Sequence, residues 1–62
     1  MKYDVRTQYL PTGEVFTLYR GIELLMLANA LAERARILHE ADCKALRIEP
    51  KNTYYVHFNP KA

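Results

Sequence analysis

Sixty-two residues, half of them hydrophobic and 26% charged, make one globular domain over residues 1–62 with a single small core. Nine Lys and Arg against seven Asp and Glu leave a formal charge of +2, short of the basic stripe of a dedicated nucleic-acid binder. Cys43 is the only cysteine, so no internal disulfide can form.

The N-terminal segment Lys2–Tyr9 alternates polar and apolar residues and reads as a strand. It lacks the apolar run of a signal peptide, and no stretch approaches the ~20 apolar residues of a membrane span. With a lone cysteine, this points to a cytoplasmic, soluble protein. LPTGE, Leu10 to Glu14, then combines Pro with Gly two residues later, as a three-residue hairpin loop requires. A second strand follows over Val15–Tyr19. The implied register groups Tyr3, Val5, Thr7, Tyr9, Val15, Thr17 and Tyr19 on a core side. Lys2, Asp4, Arg6, Gln8, Phe16 and Leu18 fall on the other, which leaves two apolar side chains on a charged face.

Ile22–Ala41 is rich in Leu, Ala, Glu, Arg and Met, all good helix formers, with Gly21 as the expected N-cap, Glu23 in the first turn and Asp42 at the exit. Leu24, Leu27, Ala28, Leu31, Ala35 and Leu38 follow helical spacing and form the expected core stripe. Ile22, Met26 and Ile37 project to the far side among Asn29, Glu33, Arg36 and Glu40, where a second apolar stripe can mark an interface.

EPKNT, Glu49 to Thr53, repeats the Pro-x-[Gly/Asn] pattern and predicts a second hairpin of Ala45–Glu49 with Thr53–Phe58. Its register places Leu46, Ile48, Tyr54, Val56 and Phe58 in the core, and Ala45, Arg47, Glu49, Thr53, Tyr55 and His57 on the open face. The expected fold is therefore α+β with β-β-α-β-β order: a four-stranded antiparallel sheet of two hairpins with one central helix on one face.

His39 and Cys43 lie four apart beside Asp42, and His57 is the remaining imidazole, but no zinc-type ligand pairing is present. A Cys–His nucleophile pair needs a cleft and an orienting third group, for which so short a chain has little room. No enzyme activity, metal or cofactor is expected. In layout, EVFTLYRGIELLMLANALAERARILHEADCKALRIEP resembles small phage-encoded inhibitors, an RNA polymerase inhibitor and anti-CRISPR proteins among them. The resemblance implies a compact non-enzymatic domain that blocks a larger host machine through one surface.

The sequence thus reads as a protein–protein interaction module, with a homodimer among its forms. The candidate contacts are Arg6, Phe16, Leu18, Arg47, Tyr55 and His57 on the open sheet face, and Met26, Glu33 and Ile37 on the helix. The alternative is a nucleic-acid-binding domain on that sheet face, where Arg6, Arg47, Tyr55 and His57 would neutralise phosphates and stack bases.

Overall fold

The structure, a computed structural model, describes residues 1–61; Ala62, the last residue of the expected domain, lies outside them. The chain runs β1 (Lys2–Tyr9), β2 (Glu14–Ile22), α1 (Leu25–Leu46) and β3 (Asn52–Asn59). The class is α+β, but the sheet has three strands, not four, in the order β2-β1-β3. β1 is central and antiparallel to both neighbours, so α1 carries the chain from one edge of the sheet to the other.

The missing fourth strand is the end of the helix. Ala41, Lys44, Ala45 and Leu46 are strong helix formers, and α1 runs through them to a left-handed cap at Arg47 (φ 58°). The Arg47 N–H donates to the Lys44 carbonyl at 3.1 Å and the Ile48 N–H to the Cys43 carbonyl at 2.9 Å. This pair of bonds closes a Schellman motif, usually built on glycine. Only the four residues 48–51 then remain before β3, and none of them forms a strand or the expected hairpin turn. β3 pairs instead with β1, in a register from Lys2↔Asn59 to Tyr9↔Asn52.

At the other end, Gly21 is not the helix cap. It lies within β2 at φ +73°, Glu23 precedes the helix, and Leu24 takes the N-cap position with no side-chain bond to the first turn.

The first hairpin forms, but its loop is longer by one residue. Tyr9 pairs with Glu14, which leaves Leu10–Gly13 as a four-residue loop closed by the Gly13 N–H on the Tyr9 carbonyl at 2.7 Å. Leu10 cannot serve the hairpin, because its N–H donates to the Lys51 carbonyl at 2.7 Å. A one-residue slip moves every side chain of a strand to the opposite face. Phe16 accordingly faces Thr7 on the helix side, while Val15 and Thr17 face Gln8 and Arg6 on the open side. Two irregularities follow in β2. One leaves Leu18 as an extra residue between Thr17↔Arg6 and Tyr19↔Val5, and the other spans Arg20 and Gly21 opposite Asp4. The first restores Tyr19 to the helix side, where the sequence placed it.

The core is small. Val5, Ala28, Ala32 and Cys43 are its buried apolar residues, with Tyr3, Ile22, Leu31 and Val56 packed around them. Thr7 is also buried; it donates to the Thr53 carbonyl at 2.9 Å and accepts from the Asn52 side-chain amide at 3.1 Å. Tyr54 and Val56 turn toward the helix as expected, and Phe58 packs its ring against Tyr3 at 5.6 Å between centroids. The helix meets the sheet through alanine, because Ala28 and Ala32 let it approach β1 closely.

Candidate protein-interaction surface

The expected core stripe of α1 divides: Ala28 is buried, Leu31 packs against the core and Ala35 is half-buried, but the other three leucines are uncovered. Leu24 is 68% exposed and Leu38 56%, and Leu27 is close behind, whereas Ala28, Ala32 and Cys43 are buried. With 100° between successive helix residues, the line through Leu27, Leu31 and Leu38 is rotated by about one residue step from the line through Ala28 and Ala32. The small residues face the sheet and the leucines face sideways.

Sideways here means toward β2. The helix lies over β1 and β3 and meets β2 only sparsely, so apart from Ile22 at its end the helix-side surface of β2 is largely uncovered. Leu18 and Tyr19 form one wall of an open groove of about 280 Å3; Leu31, Arg34, Ala35 and Leu38 form the other. Phe16 stands half exposed further along the same strand face. From Leu24 through Leu27, Leu31 and Arg34 to Leu38 the steps are three, four, three and four residues, the spacing of a helix-packing seam. Within it only Arg34 is charged, and its aliphatic stem extends the apolar wall.

The candidate residues therefore divide. Phe16 and Leu18 move from the open sheet face to the helix side, where Leu18 lines the groove and Phe16 stands beyond its end. Met26, Glu33 and Ile37 lie on the outer helix surface; Met26 is 85% exposed, while Glu33 and Glu40 both pair with Arg36, the latter at 2.9 Å. Arg47 leaves the sheet altogether, because it caps the helix. Arg6, Tyr55 and His57 do share the open face, with Arg6 opposite Tyr55 and Asp4 opposite His57 across β1 and β3. Sequence reasoning missed Leu27, Arg34 and Leu38 as surface residues, whereas Leu31 packs against the core as expected and lends its other side to the groove. The signal was present in the Ala28–Ala32 pair, which marks a second small-residue face beside the leucines.

The open face is organised around Asp4, which is only 1% exposed although it lies on the side without a helix. Its carboxylate accepts the Gly21 N–H at 3.0 Å and the Asn59 amide at 3.2 Å, with Arg6 at 4.0 Å. The Gly21 N–H holds the Asp4 pKa below its ordinary value, reinforced by Asn59 and by the charges of Arg20 and Arg6, against the opposing effect of burial. Asp4 thus sets a negative charge beside Arg6 on this face.

His39 and Cys43 do approach each other, with Sγ 3.5 Å from Nε2. Nε2 also accepts the Lys51 N–H at 3.3 Å, and the imidazole packs edge-on against Tyr54. Cys43 is buried, so the pair ties the helix end to the start of β3. Among the described residues no group of three or more metal-binding side chains converges, and no helix is long and apolar enough to cross a membrane. The chain matches no family model, no curated protein and no solved structure.

Proposed function

We propose that the protein is a non-enzymatic protein–protein interaction module whose working surface is the groove between α1 and β2. The observation that carries this reading is the rotation of the leucine stripe away from the sheet. Large side chains stand in solvent while alanines fill the core, an arrangement that makes energetic sense when another surface covers the leucines. Blocking a larger host complex, the mode of action implied by the resemblance to small phage inhibitors, is the use we assign to the assembled module, through whatever surface the groove contact leaves free.

Nucleic acid is the weaker reading. Arg47 stands apart from the open face, and Asp4 lies at its centre beside Arg6. The test compares what wild type, Leu38→Glu and Tyr55→Ala each retain, with lysate proteins and a differently tagged copy of the chain both offered. Loss of retention in Leu38→Glu alone supports the groove. Loss in Tyr55→Ala alone, or salt-sensitive retention of an oligonucleotide, moves the function to the open face.

A further inference from the structure

We infer that the partner seated on this groove is a second copy of the same chain, joined edge to edge through β2. The inference rests on the groove being the working surface and adds the identity of its occupant.

Three observations converge on it. First, β2 is an outer strand of nine residues whose far side has no neighbour. Charge and proline are among the devices that blunt such edges; the central residues Val15, Phe16, Thr17, Leu18 and Tyr19 carry neither, and the irregularity at Leu18 bends the strand only locally. The other edge, β3, is not equivalent: its helix-side residues Tyr54 and Val56 are half-buried under α1, and only Phe58 at the far end of the strand stays half exposed.

Second, the geometry is self-complementary. Two β2 strands can lie side by side antiparallel only through a two-fold axis normal to the sheet, which keeps both helices on one face. The product is a six-stranded sheet with β2 and its symmetry mate at the centre. The two leucine lines then face each other across a platform two strands wide, about 10 Å. Phe16, Leu18 and Tyr19 from both copies fill that platform. One contact satisfies the exposed backbone edge and covers the groove together.

Third, the chain as a whole exposes more surface than its mass requires. The chain exposes 4776 Å2 and has a mass of 7.3 kDa, whereas a compact monomer of that mass exposes roughly 4,200 Å2. The excess of about 600 Å2 approaches the ~800 Å2 that each partner contributes to a standard stable interface.

Sedimentation equilibrium on the purified full chain tests this directly. Wild type should sediment at twice the mass of one chain. Leu18→Lys on β2 and Leu38→Glu on α1 should each raise the dimer dissociation constant by about 100-fold or more while keeping the circular dichroism of the folded chain. Met26→Glu, on the outer helix surface, should leave it unchanged. Wild type that stays monomeric up to ~1 mM overturns the inference without recourse to any variant. So does a dimer insensitive to both groove substitutions, or one broken equally by Met26→Glu. If wild type is monomeric but Leu38→Glu still loses a retained lysate protein, the second-copy assignment falls and the groove reading stands. If neither effect occurs, both fall.

Discussion

The two flanks of the helix solve the same packing problem differently. Toward β1 and β3, α1 presents Ala28 and Ala32, and both are buried against Val5, itself fully buried, with Val56 beside them. Toward β2 it presents Leu27, Leu31 and Leu38, larger and more apolar, yet Leu27 and Leu38 stay about half exposed. The hydrophobic effect alone would reverse this order, since a leucine gains more from burial than an alanine. The flank with small residues is finished within one chain, and the flank with large residues is unfinished. That contrast locates the working surface.

Substitutions at matched positions should separate the two flanks. Ala28→Leu forces a larger side chain into a fully occupied site and should cost about 1–3 kcal/mol in urea unfolding. Leu38→Ala, measured at concentrations low enough to keep single copies, should cost no more than about 0.5 kcal/mol. Equal costs would mean that both flanks are core. A smaller effect of opposite sign is expected at the helix exit. Arg47→Gly removes the strain of a left-handed non-glycine residue and should stabilise by about 0.5–1 kcal/mol. No change there would show that the cap is not held in that conformation.

Asp4 supplies a pH-dependent counterpart on the open face. Its folded pKa lies below the unfolded value near 3.8, so its contribution is present above that value and is lost as pH falls through the folded pKa. Stability should therefore drop on acidification below about pH 4, and Asp4→Asn should flatten that part of the profile in thermal unfolding. A profile unchanged by the substitution would contradict the Gly21 and Asn59 bonds.

How far these features were legible in the sequence follows the same divide. The first hairpin, the body of the helix and the inward face of Tyr54 and Val56 were readable, because local periodicity reports them. The fourth strand was not. Ala45 to Glu49 alternates like a strand, but Lys44, Ala45 and Leu46 favour the helix already under way, and that choice left β3 to pair with β1. The register of β2 was hidden for a different reason. Leu10 donates to Lys51, more than forty positions away in the chain, and no local pattern predicts it. As for the site, Phe16 and Leu18 were readable as apolar residues in need of a partner, though on the wrong face. Helical spacing found Ala28 and Leu31 as core, but could not show that Ala32, outside the expected stripe, would join Ala28 against the sheet and leave Leu24, Leu27 and Leu38 exposed.

Hydrogen exchange at two protein concentrations tests the central claim most directly, because it reads both edges of the sheet at once. Amides of Val15 to Tyr19 that point away from β1 should gain protection as concentration rises, while the outward amides of β3 exchange at the same rate throughout. Exchange in β2 that is independent of concentration, or protection that appears in β3 instead, would contradict the account.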